Sequence, residues 1–165
     1  MHLPFRLSFL ALLGASLLSA CGAARSLGTP AARRGEAPSA EVQQVIQTAR
    51  SYEGTPYRYG GLTRSGMDCS GLVYTSFQAV GKTLPRSSAA MAQTGREVKL
   101  SELRPGHLVF FSTGSSSRIN HVGLVLRVEA GDVEFIHAST SRGVVVNRLS
   151  EKYYSERFRK AVEVI

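Results

Sequence analysis

The chain has 165 residues, 43% of them hydrophobic, which suits a single domain with a real core. Its 20 Lys and Arg against 12 Asp and Glu give a formal net charge of +8, a balance drawn to anionic surfaces. Nucleic acid is excluded as a partner, because no basic helix or aromatic-studded basic run is present and the chain opens on an export signal.

Residues 1–20 read as that signal: His2 and Arg6 supply a basic start, and Leu7 to Leu18 form an apolar run too short to span a bilayer. Leu18-Ser19-Ala20-Cys21 resembles the bacterial lipobox, which implies cleavage before Cys21 and lipidation of its sulfur. Gly22 after that cysteine, by the same resemblance, implies an outer-membrane anchor facing the periplasm. Cleavage removes only Arg6 among the charged residues and leaves +7. Residues 21–38 then read as a lipidated flexible tether. From Gly22 to Pro38, 17 residues rich in Gly, Ala, Pro and Arg, it would span roughly 20–25 Å as a coil.

The folded domain is expected over 39–165. Ser39 offers an N-cap, and Val42, Val45, Ile46 and Ala49 at helical spacing predict a first helix ending near Gly54. Thr55 to Gly61 is a breaker-rich loop with two aromatics. Leu72, Val73, Ser76, Phe77 and Val80 predict a second helix that starts at Cys69, with Asp68 as N-cap and Gly81 as stop. A cysteine in the first turn of a helix faces free N–H groups and the positive end of the macrodipole, which favours its thiolate. With Cys21 lipidated, Cys69 is the remaining thiol of an exported chain and has no disulfide partner.

Pro85 to Ser88 can open a short helix running to about Gln93, and Leu103 to Gly106 is a turn. Strands follow over His107–Phe111, Ile119–Val128, Val133–Ala138, Gly143–Val146 and Phe158–Ile165, with a hairpin turn at Gly131-Asp132 and a serine-rich loop from Thr113 to Arg118. Helices first and strands after argue an α+β domain with helices packed on an antiparallel sheet of about five strands.

A thiol nucleophile needs a base, and the base needs a group that holds its ring. Pairing residue 127 with 133 sets 121 nearly opposite 139 and makes His121 and His137 near neighbours on adjacent strands. They face one way only if the register or a bulge allows. Three ligands from Cys69, His121 and His137 could also hold zinc, but no pair has the spacing of a common zinc site, so no metal or cofactor is expected.

Thr55-Pro56-Tyr57-Arg58-Tyr59-Gly60-Gly61, Asp68-Cys69-Ser70-Gly71-Leu72-Val73, Leu84 to Ser88, Leu103 to Phe111, His121-Val122-Gly123 and Phe135-Ile136-His137-Ala138 together resemble the NlpC family of papain-like, cell-wall cysteine peptidases. The resemblance implies Cys69 as nucleophile, His121 as base, His137 as its orienting partner and Tyr57 beside the oxyanion site. It also implies Asp68, Ser70 and Arg86 along the substrate groove. The implied substrate is an amide of a peptidoglycan stem peptide or cross-link near diaminopimelate, acted on by a monomer held to the membrane through Cys21. A wall amidase with the same chemistry and a non-catalytic wall-binding lipoprotein are the alternatives. Where the family usually has Pro-Gly-Asp the chain has Pro105-Gly106-His107, and His107 is expected to start a strand facing solvent.

Overall fold

The structure is a computed structural model that describes residues 37–165, together with His2. The signal, Cys21 and nearly all of the tether lie outside the described residues.

Helix α1 spans Ala40–Arg50, and the Ser39 side chain accepts the Val42 amide at its start. Beyond the 55–61 loop lies a small hairpin, β1 (Leu62–Thr63) with β2 (Gly66–Met67), for which the sequence pattern carries no expectation. Helix α2 is Cys69–Gln78, capped by Asp68 as predicted. It ends three residues before Gly81, whose φ of +74° closes the following turn. Helix α3 is only Ser88–Met91, capped by the Ser87 side chain.

The main sheet has six strands, one more than the sequence pattern indicates. The addition is β3 (Arg96–Glu97), too short to show alternation. After a 3-10 turn at Leu100–Glu102 come β4 (Leu108–Phe111), β5 (His121–Glu129), β6 (Asp132–Ser139) and β7 (Gly143–Arg148). Then α4 (Lys152–Arg157), unanticipated and breaking the helices-first order, leads into β8 (Phe158–Glu163). Strand order is β3-β8-β4-β5-β6-β7, antiparallel throughout.

The sheet is buried on both faces. One face packs Val45 and Ala49 of α1 and Leu72, Val73 and Phe77 of α2 against Phe110, Leu124 and Ile136. The other packs Val109, Phe111, Val125 and Phe135 under Leu149 and Tyr154. Such burial explains why β4 reads as an unbroken apolar run.

The β5–β6 hairpin turns at Ala130 and Gly131, φ +48° and +84°, one residue earlier than expected, so that Asp132 begins β6. Both φ values are positive, as a two-residue turn matched to strand twist requires. The tight turn pairs Glu129 with Asp132 and Arg127 with Glu134, but Val125 pairs with Phe135. Leu126 is therefore an extra residue, a β-bulge that shifts everything beyond it by one.

His107 differs from expectation. It is only 4% exposed. Its Nδ1 accepts the Arg104 amide at 3.3 Å, and its Nε2 lies 3.8 Å from Glu163 Oε1. A ring nitrogen with a lone pair can close the Pro-Gly turn as a carboxylate oxygen would, and it can do so from a buried position. Burial pushes the His107 pKa below the ordinary imidazole value, against the pull of Glu163. The ring is thus kept neutral, with the lone pair this hydrogen bond uses.

Candidate active site

The N-terminus of α2 is braced by one carboxylate. Asp68 Oδ1 accepts the Gly71 amide at 2.6 Å and the Ser70 hydroxyl at 3.0 Å. Its Oδ2 accepts the Gly60 amide at 2.7 Å and Arg86 Nη2 at 3.1 Å. Arg86 Nη1 also donates to Ser70 Oγ at 3.0 Å. Burial works against ionising Asp68, yet the hydrogen bonds from Arg86, Gly71 and Ser70 and the guanidinium charge outweigh it and hold the carboxyl below its ordinary range. The loop from Gly60 lies hard against the helix. A Cβ on Gly71 would meet the Gly61 carbonyl oxygen at 2.2 Å, so the contact depends on glycine.

Cys69 sits inside this brace, 8% exposed and packed with the helix-side core. Tyr57, fixed by a bridge to Met67, packs against the same core. Burial, and after it the charges of Cys69 and Asp68, raise the Tyr57 pKa, so its hydroxyl keeps its proton.

The expected acidic thiol is not what the fold produces at rest. Burial raises the Cys69 pKa and Asp68 adds to the rise. The amides of Val122, Ser70 and Cys69 itself face the sulfur and pull the other way without prevailing. The helix terminus supplies the expected N–H groups, but desolvation is the larger effect in this closed site.

One of these amides, that of Val122, belongs to the residue after His121, at the start of β5. His121 Nε2 lies 2.8 Å from His137 Nδ1, the rings nearly perpendicular at 83°. The Leu126 bulge makes this meeting possible. With the register of the turn alone, His137 would lie opposite Leu124, on the helix side. Beyond the bulge Leu124 pairs with Ile136, which sets His137 across from Gly123, on the His121 face. Burial, then the neighbouring His137, lowers His121 to about 3. Burial also lowers His137 to about 4, against the Asn147 hydrogen bond that favours its charged form. Both rings are neutral at pH 7.

Behind His137 lies a set of groups that the sequence reading did not single out. His137 Nε2 is 3.0 Å from Asn147 Oδ1 and 3.1 Å from the Tyr154 hydroxyl. Asn147 also contacts Arg142 and Glu151. The signal that could have found Asn147 was the length of β7, which runs two residues past the expected end at Val146 and pairs Asn147 with Phe135. A cleft of about 360 Å³ opens beside the histidines, lined among others by Thr113, Ser139, Arg142 and Tyr153. Among the described residues no group of three or more His, Cys, Asp or Glu could hold a metal ion.

The NlpC/P60 family profile matches residues 54–163, which takes in every group named so far at the site. The chain belongs to the NlpC/P60 family. It is 38% identical over 123 residues to the murein DD-endopeptidase MepS/murein LD-carboxypeptidase of Escherichia coli, covering 74% of this chain and 62% of that relative. To the "Probable endopeptidase NlpC" of Escherichia coli it is 43% identical over 113 residues, 68% of this chain and 71% of the relative. A solved NLP/P60-family structure from Staphylococcus aureus, described as similar to lipoprotein, superposes with a TM-score of 0.68 at 31% identity. That match covers 79% of this chain and 43% of the other. The NlpC/P60 fold thus accounts for the α2-on-sheet arrangement that sets Cys69 beside the start of β5.

Proposed function

We propose that this protein is a cysteine peptidase that hydrolyses amide bonds of peptidoglycan stem peptides or cross-links near diaminopimelate. The observation that carries the reading is the 2.8 Å contact of His121 Nε2 with His137 Nδ1 beside a buried helix-start thiol. It uses Nε2 for orientation and leaves Nδ1 of His121 as the basic nitrogen for the thiol. The relatives, a murein endopeptidase of Escherichia coli among them, support the substrate class.

In this mechanism the resting pair is neutral thiol and neutral imidazole. As Sγ attacks the amide carbonyl, its proton passes to His121 Nδ1 and a carbon–sulfur bond forms. The Cys69 amide and the protonated Tyr57 hydroxyl are the donors for the developing oxyanion. His121 then protonates the leaving nitrogen, the carbon–nitrogen bond breaks, and a thioester remains. Water, deprotonated by His121, cleaves the thioester and restores the thiol. His137 holds the His121 ring throughout. Ser70 and Arg86 form a polar margin for the substrate beside Cys69, with Asp68 anchoring both.

The reading includes a signal over residues 1–20, a lipid on Cys21, and a tether to Pro38 that holds the catalytic domain of a monomer at the outer membrane. The Leu18-Ser19-Ala20-Cys21 pattern supports it. Mass analysis of fragments released from purified sacculi tests the activity. Wild type should release products cut within the peptide, and Cys69→Ala should release none while remaining folded. Cleavage by the folded variant, or products cut only at the sugar–peptide bond, would overturn the endopeptidase assignment. Cys21→Ser should leave the membrane fraction.

A further inference from the structure

We propose that Asn147 and Glu151 are positioning residues that fix the hydrogen on His137 and, through it, on His121. This rests on the roles given above to Cys69 and His121, and it names residues two and three contacts beyond His121.

At the far end of the relay the donor and acceptor roles admit no choice. An ionised carboxylate only accepts hydrogen bonds. Glu151 Oε1 and Oε2 lie 2.9 and 2.8 Å from Asn147 Nδ2, and Oε1 also accepts the Arg148 amide at 2.7 Å. The nitrogen end of the Asn147 amide therefore faces Glu151. A guanidinium only donates. Arg142 Nη2 lies 2.8 Å from Asn147 Oδ1, which sets the same orientation from the opposite side. The Tyr154 hydroxyl donates to this oxygen too, at 3.2 Å.

An oxygen fixed as acceptor dictates the next hydrogen. His137 Nε2 lies 3.0 Å from Asn147 Oδ1 and 3.1 Å from the Tyr154 hydroxyl, and because that hydroxyl gives its own hydrogen to Asn147 Oδ1, both are acceptors toward Nε2, which carries the hydrogen. A neutral His137 then has its lone pair on Nδ1, and that nitrogen is 2.8 Å from His121 Nε2. His121 Nε2 must therefore donate, and the His121 lone pair falls on Nδ1, the nitrogen the mechanism needs free of hydrogen. From Glu151 to His121 each group leaves the next a single tautomer.

Surroundings reinforce the lock. His137 is 1% exposed and Asn147 7%, so water does not offer the ring an alternative partner at low cost. Phe135 lies 5.2 Å from His137 and Tyr154 5.3 Å, centroid to centroid, which restrains the ring from rotating. The arrangement also explains a polar cluster in an apolar layer. A single histidine hydrogen bond needs one acceptor, whereas here four side chains converge on one amide.

The test is nitrogen-15 NMR of histidine-labelled, full-length protein at pH 7, with His121 and His137 assigned from single-site variants. Wild type should show both rings neutral with hydrogen on Nε2. Asn147→Leu, which keeps volume and removes the acceptor, should give His137 a mixture of tautomers and lower kcat about 10–100-fold with KM little changed. Glu151→Gln is the milder variant, because its amide lets Asn147 turn over, and it should show partial mixing should Asn147→Leu fail to fold. Wild-type rings with hydrogen on Nδ1, or folded variants with unchanged tautomers and unchanged kcat, would overturn the proposal. The NMR arm is run on the Cys69→Ala background as well, so tautomers are read without any turnover. A failure of the peptidase assignment is thereby separated from a failure of the lock.

Discussion

Gly123 is the residue where the packing of the sheet and the geometry of the histidines meet, and Gly123→Ala should damage both. A Cβ there would lie 2.5 Å from Phe135 Cδ2, 3.2 Å from Cε2 and 3.3 Å from the Ile136 carbonyl oxygen. Comfortable carbon–carbon contact is about 3.5–4.0 Å, so the ring must move by roughly 1 Å. It has nowhere to go: Phe111, Tyr154 and His137 sit with ring centroids 5.2, 5.0 and 5.2 Å away. Overpacking of this kind costs about 1–3 kcal/mol, against which replacing a strand glycine returns about 0.5–1 kcal/mol. The net expectation is a loss of about 1–2 kcal/mol.

Activity should fall further than stability. Phe135 lies over His137 at an interplanar angle of 32°, so its displacement passes to the ring that holds His121. Misplacement near 1 Å can cost on the order of 10² in rate. Urea denaturation and hydrolysis of soluble muropeptides measure the two effects. Adding Phe135→Leu should relieve the clash, so the double variant should be more stable than the sum of the single effects allows. Gly123→Ala with a wild-type midpoint and rate, or strict additivity in the double variant, would refute the reasoning.

The other expectations concern the thiol and the second histidine. His137→Asn should retain more activity than His137→Ala, because an amide oxygen can still accept from His121 Nε2; alanine should cost about 10²–10⁴ in rate, and equal losses would remove the orienting role. His137 has a folded pKa of about 4 against an ordinary 6.5, so the unfolded chain takes up its proton first as the pH falls. Stability from this group is present above about pH 6.5 and lost toward pH 4, by up to ~3 kcal/mol, and urea midpoints at pH 7 and 4.5 should show a flatter dependence for His137→Asn. The buried, raised-pKa thiol should react with iodoacetamide at pH 7 more slowly than a small-molecule thiol, and faster labelling of native protein would mean the site opens in solution.

What was legible in the sequence was what local chemistry decides. Ser39 and Asp68 announce the starts of α1 and α2, because a short oxygen-bearing side chain before an apolar stripe has few other uses. The apolar run in β4 could be read because the strand is buried on both faces. The strand Arg96–Glu97 could not, since two exposed charged residues are held there by pairing with Val162 and Glu163 and by ion pairs with Glu163 and Lys160, all far along the chain. His107 was misjudged because a polar residue at a strand start reads as solvated. Only the fold shows Arg104 and Glu163 closing over it.

The histidine pair marks the boundary of such reading. Alternation along β5 places His121 with Gly123 and Val125, and alternation along β6 places His137 with Phe135, but neither pattern says whether the two sets share a face. That depends on whether the count of residues between them is shifted by one. The turn at Ala130 and Gly131 by itself would have put His137 on the helix side, and the single extra residue at Leu126 reverses the outcome. No propensity marks Leu126 as a bulge, since it is buried in the helix-side core like Leu124 and Val122 before it. The parity of the site is therefore set by packing. Leu126 stays in the helix-side core only if the strand slips beneath it, and that slip is what sets His137 against His121.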